Sequence, residues 1–288
     1  MKNATENGLA VVTGAAGGLG AAFAHQLAER GYRLLLVDRR PAPLQQVCEE
    51  IAAKHGTESV AHVADLCNRL EVHQLAERLS QLPDVTLLVN NAGFGTVDYF
   101  VDTDINFLVG QADLHVVTPT ILTRAVLPGM LERNRGNIIN VTSIGAWFHS
   151  AGNVQYGATK SFLASLSLSL QDELRGTNVR VQALCPGFVR TEFHAAESMQ
   201  AYQHRSAPAA HLWMTADEVV TCSLRKLGSK KVLVTPGFGY SLVCRFAQMP
   251  FLRGLFQWIA RKPRVSVQKP ASEKESSPAA VFSVPKRA

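Results

Sequence analysis

The chain has 288 residues, 47% of them apolar and 18% charged, enough to bury one large core and too apolar for a disordered polypeptide. Its net charge of +6 is spread along the chain with no basic motif interleaved with aromatics, which argues against a nucleic-acid partner. Five scattered cysteines without a CxxC pair argue against a disulfide frame or a zinc site, and no uninterrupted apolar run reaches the length of a membrane span.

The chain opens MKNATENGLA, which lacks the apolar stretch of a secretory signal, so a cytoplasmic protein is expected. Short β-branched or leucine-rich runs then alternate with longer segments of helical period. The runs at 9–13, 33–37, 58–63, 86–90, 137–142, 179–184 and 231–235 read as strands. Their continuous apolar character suits a parallel sheet buried on both faces, with the helical segments as crossovers. The expected fold is a doubly wound α/β domain over residues 1–262. Ligands of such sheets bind beyond the carboxyl ends of the strands, so the residues following each run carry the chemistry.

The first run leads into TGAAGGLG. Gly14, Gly18 and Gly20 stand where a tight turn, close approach to a pyrophosphate and helix packing each exclude a Cβ, and the next helix offers its N-terminal amides to phosphate. The second run ends at Asp38, a carboxylate suited to ribose hydroxyls and repellent to a 2′-phosphate, which favours NAD. Arg39 and Arg40 point the other way, toward NADP, unless they are solvated loop charges. Asp65 and Leu66 follow the third run and NNAG, residues 90–93, the fourth; as polar turns on the binding edge they are candidates for adenine and ribose contact.

The fifth run ends NVTSIG, placing Ser143 thirteen residues before Tyr156, and YGATK sets Tyr156 and Lys160 four apart on one helix face. From Thr191 to Thr215 no strand is expected; this polar, alanine-rich region with His194, His204 and His211 reads as a lid or substrate loop. Residues 241–262 carry Arg245, Arg253, Arg261 and Lys262 with no acid. Phe251, Leu252, Leu255, Phe256 and Ile259 recur there at helical spacing after Pro250. That stripe packs on the body or a second subunit, or else lies on anionic lipid or over an apolar pocket. Residues 263–288, rich in Pro, Ser and Lys, are expected to be disordered.

TGAAGGLG, NNAG, Ser143 with YGATK, and PGFVRT after the sixth strand resemble, in order, the motifs of the short-chain dehydrogenase/reductase family, over about residues 8–240. The resemblance implies a single Rossmann-fold domain with a C-terminal extension, binding NAD or NADP and assembling as a homodimer or homotetramer. It implies a cofactor site of Gly14, Gly18, Leu19, Gly20, Asp38, Arg39, Asp65, Leu66, Asn91, Ala92, Gly93, Tyr156, Lys160, Pro186, Gly187, Val189 and Thr191. Of these, Pro186 and Gly187 shape the nicotinamide pocket and Thr191 bonds the carboxamide. The implied reaction interconverts an alcohol and a carbonyl of a small or lipid-like apolar substrate. Tyr156 acts as acid and base, Ser143 holds the substrate oxygen and Lys160 reaches the nicotinamide ribose.

Elementary electrostatics agrees. Moving a phenol from about 10 to neutrality takes roughly 4 kcal/mol, which a cation at about 4 Å supplies at an effective dielectric near 20. One residue departs from the family pattern: DLHVV has His115 where members often carry an asparagine of the proton relay. An imidazole there either bonds relay water and titrates near neutral pH, or packs. Outside catalysis, the same scaffold would suit a dinucleotide-binding sensor.

Overall fold

The computed structural model describes residues 7–95, 98–148, 151–191, 212–229 and 231–247. The apolar runs become β1 (Leu9–Thr13), β2 (Arg33–Asp38), β3 (Ser59–Val63), β4 (Val85–Asn90), β5 (Gly136–Val141) and β6 (Val179–Leu184). Two three-residue strands follow, β7 (Phe188–Arg190) and β8 (Trp213–Thr215), and then β9 (Leu233–Val234). Seven of them form one sheet in the order β3-β2-β1-β4-β5-β6-β9, each neighbouring pair parallel.

Alternate residues face opposite layers, as the period of two requires. Ala10, Val12, Leu34, Leu36, Leu87 and Val89 pack in one core layer. They meet α1 (Gly18–Glu29), α2 (Pro41–His55) and α7 (Ala216–Lys226) through Phe23, Leu27, Leu44, Ile51 and Val219. Leu9, Val11, Leu35, Val37, Leu88 and Ile138 face the other layer. There they meet α3 (Arg69–Gln81) and α5 (Thr118–Glu132) through Leu75, Leu79, Leu122, Val126 and Met130. Side chains buried as completely as Phe23 or Leu122 stabilise the fold by about 1.5–3 kcal/mol each.

Both strands flanking β1 leave it by outward crossovers, one toward β2 and β3 and one from β4 toward β5 and β6. A crevice therefore opens at the carboxyl ends between β1 and β4. Helix α4 (Ile105–Ala112) runs through a π-helical turn (Asp113–Val117) into α5. This 28-residue stretch, Ile105–Glu132, is long and apolar enough by composition to cross a membrane, a match that run-counting misses because polar residues interrupt it. Its buried Leu114, Leu122, Val126 and Met130 line the second core layer instead. Helix α6 (Val154–Glu173) lies along β5 and β6.

The expectation of no strand between 191 and 215 is corrected: Trp213–Thr215 pairs in parallel with Phe188–Arg190 as a separate two-stranded sheet. Three residues are too few for a period to register in the sequence. A helix, α8, also occupies Phe238–Ala247, ahead of the one expected from Pro250. The remainder of the loop (192–211), the stripe at 248–262 and the tail at 263–288 lie outside the described residues.

Candidate active site

The turn from β1 to α1 is built by backbone conformations that disfavour a side chain. Gly14 and Gly18 have φ of 65° and 53°. A Cβ on Gly20 would stand 1.9 Å from the Gly14 carbonyl oxygen, and one on Gly14 would stand 2.9 Å from Ala92 Cα. The turn is thus packed against the strand β4 exit, with Leu19 half-buried behind it. Thr13, which sequence reasoning overlooked, makes this junction. Its hydroxyl accepts from the amides of Asn91 and Ala92 and donates to the Val89 carbonyl, while Asn91 Nδ2 donates to the carbonyls of Thr13 and Gly14. A cradle that leaves no room for a Cβ, at the N-terminus of a 12-residue helix, fits a pyrophosphate.

Asp38 is 7% exposed at the end of β2. Its carboxylate accepts from the Ala16 amide at 3.1 Å, the Arg40 amide at 3.0 Å and Arg40 Nε at 3.3 Å. The side chain therefore ties the glycine turn to β2. Arg39 is exposed beside it, its charge reaching Cys67. Asp65 bonds the Cys67 amide and buried Leu66 accepts from Thr118, so both stand on the same edge, farther along the sheet. At the other end of the crevice, the Pro186 carbonyl accepts from the Ile144 amide. Gly187 touches Tyr240, Val189 is buried in the core, and Thr191 sits against Gly18, 3.3 Å from where a Cβ would be.

Ser143, Tyr156 and Lys160 come together where β5 and α6 meet. Ser143 caps a 3₁₀ turn (Ile144–Ala146), accepting from the Gly145 amide at 3.0 Å, and its side chain is hydrogen-bonded to Tyr156. Lys160 Nζ donates to the Val141 carbonyl at 2.9 Å and lies 5.6 Å from the Tyr156 ring centroid. Ser161 Oγ donates to the Ala146 and Gly157 carbonyls, fixing α6 against the loop that carries Ser143. A shallow, solvent-open depression is lined by Tyr156 together with Phe100, Leu108, Asn153 and Asp98.

Burial pushes the Tyr156 hydroxyl up, and the Ser143 hydrogen bond only partly draws it back. Lys160, 4% exposed, is itself pushed down from 10.5 to about 8 by burial. Both charged forms lose hydration in the same place, which disfavours each of them.

His115, in the π-helical turn, is 1% exposed. Nδ1 lies 3.0 Å from Thr159 Oγ1, and the Phe94 amide donates to Nε2 at 3.2 Å. Its ring packs edge-on against Tyr156 with centroids 5.8 Å apart. Gln111, one helical turn earlier, donates to the Phe94 carbonyl at 3.0 Å. Phe94, Gln111 and Thr159 were invisible as site residues because only the packing of α4 and the π-helical turn against α6 assembles them.

A parallel sheet with a glycine-built turn at its switch point and a tyrosine–lysine–serine cluster beside it defines a dinucleotide-binding oxidoreductase scaffold. The short chain dehydrogenase family model matches residues 8–201. The NADP-dependent 3-hydroxy acid dehydrogenase YdfG of Salmonella typhi is 38% identical over 189 residues, 64% of this chain and 74% of that one. A very-long-chain 3-oxoacyl-CoA reductase of Anas platyrhynchos is 33% identical over 187 residues, 64% of this chain and 60% of that one. The structure of a short-chain dehydrogenase from Sphingobium yanoikuyae in complex with NADPH superposes with a TM-score of 0.77 at 26% identity, over 91% of this chain and 100% of that one. The chain belongs to the short chain dehydrogenase family and is an NAD(P)-dependent oxidoreductase.

Proposed function

We propose that the protein interconverts a secondary alcohol and a ketone, with Tyr156 as the group that moves the proton. The observation that carries this reading is the Tyr156 side chain on the wall of a solvent-open depression, hydrogen-bonded to Ser143 with the Lys160 ammonium beside its ring. A nicotinamide bound there would supply or accept the hydride. Tyr156 gives its proton to the substrate oxygen in reduction and takes it back in oxidation. Ser143 accepts the Gly145 N–H, so its own hydrogen is left to orient that oxygen or the phenol. Lys160, while protonated, favours the phenolate and reaches toward the ribose side of the site. The glycine turn, Asp38, Asn91 to Gly93 and Thr191 would hold the dinucleotide.

The substrate class proposed is small or lipid-like and apolar, supported by Phe100, Leu108 and Val154 along the depression. Relatives named for a 3-hydroxy acid and a 3-oxoacyl-CoA support carbonyl chemistry of this kind. Asp38 supports a preference for NAD. A second reading, use of NADP, is favoured by exposed Arg39 and by Arg40, which partly neutralises the Asp38 carboxylate. The catalytic domain is proposed to span residues 1–262 and to work in the cytosol as a homodimer or homotetramer.

The test is a panel of secondary alcohols and apolar ketones, followed by nicotinamide absorbance with each cofactor. Turnover should appear with NAD at lower KM than with NADP, and Tyr156→Phe should lower kcat at least about a hundredfold. A Tyr156→Phe protein as active as the parent removes the assignment.

A further inference from the structure

His115 makes hydrogen bonds through both ring nitrogens, and the partners fix their direction. The Phe94 amide can only donate, so Nε2 must be the unprotonated, accepting nitrogen. Nδ1 then carries the hydrogen and donates to Thr159 Oγ1, whose own hydroxyl donates to the Tyr156 carbonyl at 2.9 Å. The bonds run in one direction from the loop after β4 into the first turns of α6, with every donor matched to an acceptor.

We propose that His115 is a positioning residue: a neutral imidazole, protonated on Nδ1, that braces Phe94 against the helix bearing Tyr156 and carries no proton during turnover. Taking up a proton at Nε2 would point two N–H groups at each other and break the Phe94 contact. The titratable groups facing the ring among the described residues are Lys160 and Tyr156, both on α6. Complete burial, and after it the charge of Lys160, which is cationic below about pH 8, hold the imidazole well below its ordinary value. Each ring nitrogen faces a protein partner among the described residues.

The surroundings are shaped for this ring. A Cβ on Gly93 would stand 2.8 Å from Nε2 and 3.5 Å from Lys160 Nζ, so the glycine makes room for the brace. Gln111 takes the Phe94 carbonyl from the same helix, so this helix engages both the N–H and the C=O of Phe94. The extra residue of the π-helical turn offsets the helix where His115 projects. Through the edge-on contact and the Thr159 relay of bonds, the imidazole sets the orientation of Tyr156 from two directions.

This inference rests on Tyr156 as the acid and base, and its test separates the two ideas. In protein labelled with ¹⁵N-histidine, the His115 signal, assigned by its absence in His115→Phe or its shift in Thr159→Val, should report an Nδ1–H tautomer unchanged from about pH 6 to about pH 9. His115→Phe keeps ring volume and loses both bonds. It should lower kcat about tenfold to a hundredfold with little change in cofactor KM. Combining it with Thr159→Val should cost no more than His115→Phe alone, because both cut one chain of bonds. Free imidazole should not restore His115→Ala. An Nε2–H or imidazolium signal, or imidazole rescue, overturns the brace in favour of a shuttle, and parental kcat in His115→Phe overturns it outright. Full activity in Tyr156→Phe would sink the acid–base assignment while leaving the tautomer measurement standing.

Discussion

Lys160 shows what a buried ammonium costs a fold, whatever chemistry it is proposed to serve. Its amine is 4% exposed, makes one hydrogen bond to the Val141 carbonyl, and has no ion pair among the described residues. Below about pH 8 the lysine is charged in both folded and unfolded chains, so the full cost of burying the charge is present. Between about 8 and 10.5 the folded protein sheds a proton that the unfolded chain keeps, and stability climbs with pH. The drop from 10.5 to about 8 corresponds to roughly 3 kcal/mol. Lys160→Met without cofactor should therefore unfold at higher temperature than the parent at neutral pH, by about 2–4 °C for each kcal/mol recovered, while losing turnover. The gap should close as the buffer is raised from pH 8 toward 10. Parallel unfolding curves at both pH values would contradict a buried charge. The raised Tyr156 phenol weakens the parent only above about pH 10, outside this window.

At the scale of elements, two helix glycines that look alike in sequence behave differently. Gly20 in α1 and Gly157 in α6 both sit early in a helix among small residues. A methyl on Gly20 would meet the Gly14 carbonyl at 1.9 Å, whereas one on Gly157 meets the Gly145 carbonyl at 3.5 Å, an ordinary contact. Gly20→Ala should push the glycine turn apart, abolish dinucleotide binding in a fluorescence titration and destabilise the fold by about 1–3 kcal/mol. Gly157→Ala should raise helix stability by roughly 0.5–1 kcal/mol and retain binding. The strand runs were legible because continuous apolar stretches have no stable place except a sheet covered on both faces. Their ends agree with the sequence to within a residue, except β9, which keeps only Leu233 and Val234. The pairing of Trp213–Thr215 with Phe188–Arg190 was not legible, because its partners are remote and its length gives no period.

Across the whole molecule, helix α8, the last among the described residues, reaches back to the turn after β6. Tyr240 donates to the Leu212 carbonyl at 2.8 Å, accepts weakly from the Phe188 amide at 3.4 Å, and leaves a Cβ on Gly187 only 2.3 Å from its ring. Gly187→Ala should destabilise by about 1–3 kcal/mol, and adding Tyr240→Ala should recover part of that loss, since the two residues share one contact. Simple additivity in a denaturant double-mutant cycle would show that the ring does not hold this turn. The family's sequence motifs marked Gly187 without naming its partner, which lies 53 residues later in a segment with no recognisable pattern.

Sequence alone determined the doubly wound sheet, the glycine turn, and the residue types at Ser143, Tyr156 and Lys160. Each of these is fixed by local period, by a backbone requirement or by spacing on one helix, and such constraints leave their mark on neighbouring letters. The environment of those residues was decided only by tertiary structure. Burial desolvated the Tyr156 phenol, Arg40 took a share of Asp38, and the packing of the π-helical turn against α6 enclosed His115 between Phe94 and Thr159. Desolvation and hydrogen-bond direction depend on what surrounds a group in space, and chain neighbours do not specify that.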